Sequence, residues 1–452
     1  MRRYIKQDLI NLIEQLSNVN ETFLKKGNAI TVETVQEILT DCQQGAVDVG
    51  TKIEECEGEG TNAVAHLEEY CEKLYFLCVN WQDVSVREKE LKALRSLLNK
   101  IKNSILYDIP DSNKEVVFLP YKASMWDSLE SVWIKACEDE NCDVYVIPIP
   151  YYDKNPDGSF GAMHYEGDLY PENVSVTHFE EYDFESRRPD VVFIHNPYDD
   201  TNYVTSIHPY FYAQNLKQFT ETLVYIPYFV LREVDPDDEK DVEKMAHLCT
   251  TPGVFYADKV IVQSERMRQV YIKVLNKFMG ADLEDKNYWK NKILGLGSPK
   301  IDKIKRSTKE EQVIPDEWKK VLCDKEGKWK KVILYNTTVD GLLKNDEKML
   351  QKITDSLDIF YKNKEEIALL WRPHPLVRAT IQSMRPELLE EYDAIVENYI
   401  RDGWGIYDDT AELNRAIIIS DAYYGDWSSL VELYRHTEKP IMIQNVKIFN
   451  KD

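Results

Sequence analysis

Proline is absent from residues 1–109 and first occurs at Pro110, and the chain is patterned differently on the two sides of that residue. Before it, apolar residues recur at helical spacing: Ile5, Leu9, Ile10, Leu12, Ile13 and Leu16, then Leu67, Tyr70, Cys71, Leu74, Leu77 and Cys78, then Leu91, Leu94, Leu97, Leu98 and Ile101. Spacings of three and four put such residues on one face of a helix, and no proline removes an amide donor. The pattern predicts an all-helical module over residues 1–110, with a loop around residues 45–60. Its expected role is packing: self-association into a homo-oligomer, or docking of a protein partner.

After Pro110 short apolar runs alternate with helical stretches. Strands are expected at 116–119, 144–149, 191–194, 223–226 and 260–262, with helices such as 125–137 and 264–278 between them. The segment 151–182, rich in Gly, Pro, Asp and aromatic residues, breaks this rhythm and reads as a long surface excursion near the site. A second series follows Gly295-Leu296-Gly297-Ser298-Pro299, with strands expected at 332–335, 367–371, 405–407, 417–420 and 441–443. Such alternation marks a doubly wound, largely parallel sheet. The predicted fold is therefore α/β: two Rossmann-like domains, 111–298 and 299–452, behind the helical module. Ligands of open α/β sheets bind beyond the carboxyl ends of the strands, so residues there are the ones to inspect.

Composition narrows the function. A chain of 452 residues is too long for one core. The formal charge of −23 argues against nucleic acid and anionic membrane surfaces as partners, while a local cluster of cations still suffices for a small anion. No apolar run approaches the length that spans a bilayer, and the start Met1-Arg2-Arg3-Tyr4 lacks the apolar segment of a signal peptide. Eight cysteines without CxxC pairs read as reduced thiols, which places the protein in the cytoplasm. No histidine or cysteine spacing suits a metal, and no cofactor is expected.

Three stretches carry candidate chemistry. In Ser420-Asp421-Ala422-Tyr423-Tyr424-Gly425-Asp426-Trp427-Ser428-Ser429, a strand is expected to end, a glycine-containing loop to follow, and a helix to begin at Ser428 and Ser429. Their hydroxyls and the free amides of the helix start suit a phosphate, with Glu432 one turn on to accept from a ribose or glycerol hydroxyl; capping alone explains the same residues. In Trp371-Arg372-Pro373-His374-Pro375, two prolines fix the backbone so that Arg372 can grip phosphate and His374 can donate to it or protonate a leaving oxygen. Asn336-Thr337-Thr338 follows the strand 332–335 and supplies small hydrogen-bonding groups, or simply a turn.

Together these stretches resemble the CDP-glycerol glycerophosphotransferases, which build teichoic-acid-type polymers on a GT-B fold. Leu334-Tyr335-Asn336-Thr337-Thr338 is similar to the family's Leu-Tyr-Ala-Pro-Thr, and Arg372-Pro373-His374-Pro375 to its Arg-x-His-Pro. Ser420-Asp421 with Ser428-Ser429 resembles Ser-Asp-Tyr-Ser-Ser, and Gly297-Ser298-Pro299-Lys300-Ile301-Asp302 resembles Gly-x-Pro-Arg-x-Asp. The resemblance covers about residues 290–445 well and 114–290 by layout. It implies a transferase that binds a nucleotide-linked small-molecule donor, CDP-glycerol first, through Asn336, Thr337, Thr338, Asp421, Ser428, Ser429 and Glu432. Arg372 and His374 would assist catalysis as CMP departs.

Two departures stand out. More residues separate Ser420 from Ser428 than in the family's signature, which reads as an inserted loop holding Tyr423, Tyr424 and Trp427. The family's Trp-His-Gly, whose histidine is the expected base, has no match: strand 223–226 leads into Pro227-Tyr228-Phe229. His195, after strand 191–194, is the nearest substitute base, or a buried hydrogen-bonded strand end. A non-catalytic protein that keeps nucleotide binding or only the fold, and a different GT-B nucleotide-sugar transferase or epimerase, are the rival readings.

Overall fold

A computed structural model describes residues 1–27, 30–155, 157–280, 287–410 and 412–444. The last eight residues of the expected C-terminal domain lie outside the described residues. The chain forms two compact units, Met1–Lys114 with Glu140–Asp143, and Glu115–Asp139 with Val144–Asp452.

The first unit contains four helices, α1 (Arg3–Lys26), α2 (Val32–Glu57), α3 (Asn62–Val79) and α4 (Val84–Tyr107). Three begin on a side-chain cap: Thr31 accepts from the Thr34 amide, Thr61 from Val64, and Asp83 from Ser85 and Val86. Their apolar stripes bury Leu9, Ile13, Val49, Ile53, Leu74 and Ile101 in one core. The loop expected around 45–60 is confined to residues 58–61, because α2 runs unbroken through Gly45 and Gly50. Each helical glycine costs about 1 kcal/mol relative to alanine, and burial of the stripe on either side outweighs it.

The second unit is α/β. Its first sheet has the order β2-β1-β5-β7-β8-β9, built from β1 (Lys114–Leu119), β2 (Cys142–Val146), β5 (Val191–Ile194), β7 (Thr222–Tyr225), β8 (Lys259–Ile261) and β9 (Ile293–Leu294). The pairs β1–β5, β5–β7, β7–β8 and β8–β9 are parallel. The segment 151–182 is less irregular than expected: β3 (Tyr151–Lys154) and β4 (Phe160–His164) pair antiparallel, and β6 (Thr205–Ile207) completes a small sheet with them.

The second sheet runs β12-β11-β10-β13-β14, parallel throughout, from β10 (Lys331–Thr337), β11 (Ile367–Pro373), β12 (Ile406–Tyr407), β13 (Ala422–Gly425) and β14 (Ile441–Ile443). One strand expectation is corrected here. Residues 417–420 are not a strand: Leu413–Ile419 is a helix, and the strand is β13, which begins two residues after Ser420. A short continuous apolar run such as Ile417-Ile418-Ile419 does not distinguish a buried helix from a buried strand. The architecture as a whole, a helical segment followed by two Rossmann-like parallel sheets, is the one the alternation predicts.

Candidate functional site

The parallel register brings three strand ends together. Asn336 pairs with Arg372 of β11 on one side and with Gly425 of β13 on the other. The Asn336 side chain closes this junction: its amide nitrogen donates to the Arg372 carbonyl at 2.9 Å, and its oxygen accepts from the Tyr423 and Ser428 hydroxyls, both at 3.1 Å. Close approach is why residue 425 is glycine. Its φ is 131°, and a Cβ there would lie 2.1 Å from the Asn336 carbonyl oxygen.

β13 changes the reading of the serine motif. Tyr423 and Tyr424 are strand residues, not an inserted loop, and Tyr423 is buried. Gly425-Asp426-Trp427-Ser428-Ser429 therefore has the spacing of Ser-Asp-Tyr-Ser-Ser without any insertion, with glycine for the first serine and tryptophan for tyrosine. The motif's aspartate is Asp426. Asp421 belongs elsewhere: it accepts from the Val332 amide at 2.8 Å and pairs with Lys309 at 2.7 Å, at the amino end of β10. It is thus corrected out of the cluster, four residues along the strand from Asn336, or roughly 13 Å.

Asp426 holds the cluster in place. One carboxylate oxygen accepts from the Thr338 amide and hydroxyl at 2.8 and 3.1 Å, and the other from Lys352 at 2.5 Å. Lys352 is fully buried and also donates to the Gln444 carbonyl at 2.6 Å. Thr338 in turn caps the helix Val339–Asn345 through the Gly341 amide, and Thr337 accepts from the Trp371 indole at 3.2 Å. Thr337 and Thr338 are therefore occupied by structural bonds. The D-W-S-S spacing was the sequence signal for Asp426; nothing in the pattern around Lys352 marks it.

Arg372 and His374 separate in role. The Arg372 guanidinium is buried and donates to Asp408 at 2.5 Å and to the Thr410 carbonyl at 2.7 Å. Its charge is compensated inside the protein, so it fastens the loop after β12 rather than standing free for a phosphate. His374 is exposed. Its backbone amide donates to Thr337, and its Nδ1 accepts from the Leu376 amide at 3.2 Å, which leaves the proton on Nε2. Although the residue as a whole is exposed, desolvation of its ring by the surrounding loop lowers its pKa below the usual histidine value, which favours the uncharged form. It borders a cavity of about 120 Å3 with Arg372, Arg378, Tyr392, Tyr407 and Asp408.

Ser428 and Ser429 begin the helix Ser429–Arg435, as expected. That helix is only two turns long, so its dipole is a small contribution. Glu432 supplies a stronger feature. It is buried, Arg435 approaches one of its carboxylate oxygens at 3.5 Å, and the other, Oε1, has no hydrogen-bond partner among the described residues. A buried carboxylate oxygen left unpaired is costly, which suits an acceptor awaiting a ligand hydroxyl.

His195 is not presented as a base. It is wholly buried at the end of β5, where Nε2 accepts from the Tyr121 amide at 3.0 Å and Nδ1 lies 2.8 Å from the Ser128 hydroxyl, which itself donates to Met125. Both ring nitrogens are used. Burial, with Lys300 nearby, pushes its pKa down to about 3. Of the expected residues, then, Asn336, Thr337, Thr338, Arg372, His374 and Ser428 lie at the carboxyl ends of β10, β11 and β13, while Ser429 and Glu432 lie on the helix that follows β13. Asp421 and His195 lie apart from both.

The Gly-Ser-Pro-Lys-Ile-Asp stretch opens the helix Pro299–Arg306, which ties the two sheets' surroundings together. Lys300 pairs with Asp127 at 2.5 Å, Lys303 with Glu130 at 2.7 Å, and Ser131 donates to Asp302 at 2.9 Å. Asn414 adds a bond to Asp127 at 2.8 Å. Among the described residues no group of three His, Cys, Asp or Glu is placed to hold a metal, and no helix is long and apolar enough to cross a membrane.

Three solved structures illustrate what the chain is similar to. A putative UDP-N-acetylglucosamine 2-epimerase from Listeria monocytogenes is 12% identical with a TM-score of 0.42, over 74% of this chain and 79% of that one. A UDP-GlcNAc 2-epimerase from Methanocaldococcus jannaschii, in complex with UDP-GlcNAc and UDP, is 12% identical with a TM-score of 0.41, over 73% and 83%. A variant of the wall teichoic acid polymerase TagF is 13% identical with a TM-score of 0.37, over 84% and 78%. No curated protein sequence matches the chain. Residues 244–448, which include the carboxyl ends of β10, β11 and β13, match the model of the family CDP-Glycerol:Poly(glycerophosphate) glycerophosphotransferase, the family that the motifs resemble.

Proposed function

We propose that the protein is a cytoplasmic glycerophosphotransferase that binds CDP-glycerol at the carboxyl edge of the second sheet. An acceptor hydroxyl attacks the glycerol-linked phosphorus. The bond from that phosphorus to the bridging oxygen breaks, and CMP leaves with the electron pair. The observation that carries the reading is that the family-matched segment puts the ends of β10, β11 and β13 side by side, with Ser428 bonded to Asn336 at that junction, His374 following β11 with its Nδ1 occupied, and an unpaired Glu432 oxygen in the helix that Ser429 begins. His374 and the Ser429 hydroxyl would donate to phosphate oxygens, the Ser428 hydroxyl would join them by turning from Asn336, and Glu432 would accept from a ribose or glycerol hydroxyl. Catalysis would rest mainly on positioning and on donors already in place.

A second reading, a nucleotide-binding protein without turnover, is favoured by one observation: the position after β7 carries Pro227-Tyr228-Phe229, and both nitrogens of His195 are bonded. The test is CMP release from CDP-glycerol with glycerol-phosphate acceptors. Release that depends on acceptor supports the transferase. Binding of CDP-glycerol without release supports the second reading, and absence of both removes the proposal.

A further inference from the structure

On the outer side of the second sheet, away from the strand ends, the helices Glu347–Tyr361 and Leu389–Asp402 finish side by side. Between them lies a groove of about 440 Å3 whose lining includes Asp358, Tyr361, Asn398, Asp402 and Trp404. That volume is within the range of small-molecule sites.

Three independent features give the groove one sign. Asp358 and Asp402 put carboxylates in the last turns of the two helices, where the backbone dipole is already negative and a cation is the favoured residue. Placing acids there weakens both helices, a local cost without a folding benefit. Asp358 makes no ion pair among the described residues, and the cation nearest Asp402 is its neighbour Arg401, at 3.4 Å. The third feature is aromatic. Tyr361 and Trp404 meet edge to face, with centroids 5.5 Å apart, and Trp404 meets Tyr399 the same way at 5.0 Å. The protein itself demonstrates what such a ring attracts: the Lys364 ammonium lies 3.9 Å from the centre of the Tyr361 ring.

We propose that this groove binds an organic ammonium group, primary or quaternary, held between the aromatic faces and the two carboxylates. A metal ion is a poor fit, because Asp358 and Asp402 are the only carboxylates among the lining residues. A neutral ligand of the same shape would leave the negative field unanswered.

The test uses the full chain labelled with fluorotryptophan, with the Trp404 resonance assigned from Trp404→Phe. Tetramethylammonium should shift that resonance saturably, whereas tert-butanol and potassium chloride should not. Asp358→Asn combined with Asp402→Asn, both exposed and harmless to the fold, should weaken the response at least about tenfold. Lys364→Ala should tighten it, since the resident ammonium either competes for the ring or repels the ligand. No saturable shift, an equal response to tert-butanol, or an unchanged affinity in the double variant would overturn the proposal. So would weaker binding in Lys364→Ala.

Discussion

At Asn336 one side-chain amide spans three strand ends, and the residues around it divide into those that hold and those that present. Arg372, Asp408, Asp426 and Lys352 hold: each is buried and each charge is matched. Removing one partner of a buried pair strands the other charge. Arg372→Ala should therefore cost about 3–5 kcal/mol of stability in urea unfolding. His374→Ala should leave stability within about 0.5 kcal/mol and lower CMP release about a hundredfold. The opposite pattern, a stable Arg372→Ala protein with normal folding and lost turnover, would return Arg372 to the ligand. His195 makes a separate prediction. Its folded pKa, about 3, lies below the unfolded value of 6.5, so the unfolded chain takes up a proton first and stability falls as pH drops from about 6.5 toward 3. Asp199 acts in the other direction: burial raises its pKa to about 7, so its contribution is complete below about 4 and is lost as pH rises through 7. The two oppose each other between about pH 4 and 6.5. Isolating the histidine requires His195→Gln: its stability deficit at pH 7 should shrink as the pH is lowered to 4.5. Parallel profiles for wild type and variant would contradict a neutral, buried His195.

Among the elements, the long helices and the short apolar strands of both sheets are legible from sequence, and the run 417–420 is the exception. The four helices follow from the spacing of Leu9, Ile13 and Leu16, or of Leu91, Leu94 and Leu98, while the glycines of α2 misled because propensity is weaker than packing. The strands β10 and β11 stood out as Val332-Ile333-Leu334 and Ala368-Leu369-Leu370. From sequence the run 417–419 reads as a strand and β13 as a loop, which puts the motif's aspartate at 421; the helix Leu413–Ile419 and the strand Ala422–Gly425 put it at 426. Pairing partners were illegible for a different reason. Lys352 meets Asp426 across 74 residues, and Lys300 meets Asp127 across 173, so only the folded chain brings them together. The helix Pro299–Arg306 is held by such long-range pairs. Asp127→Ala leaves Lys300 and Asn414 without their shared acceptor and should lower the midpoint of urea unfolding by the equivalent of about 3 kcal/mol. An unchanged midpoint would mean that the tie contributes nothing.

For the whole molecule, the division into a helical unit and an α/β unit gives the helical segment its own core, with Ile13, Val49, Leu74 and Ile101 buried within it. Exposed Tyr75, Phe76 and Val79 on α3 add an apolar surface that the α/β unit's chemistry does not explain. We expect deletion of residues 1–105 to leave a folded α/β protein with altered oligomeric mass by light scattering. An insoluble product, or one with the parent's oligomeric state, would count against a role in association. The ligand site is proposed to lie at the carboxyl edge of the second sheet. Calorimetry of CDP-glycerol binding to wild type and to Ser428→Ala with Ser429→Ala tests that directly, because these hydroxyls make charge-assisted bonds only if a phosphate sits there. We predict a saturable heat for wild type and affinity reduced at least about tenfold in the variant, with stability lowered by no more than about 1 kcal/mol for the lost Ser428–Asn336 bond. Equal affinity in the two proteins would place the donor somewhere else and contradict the account.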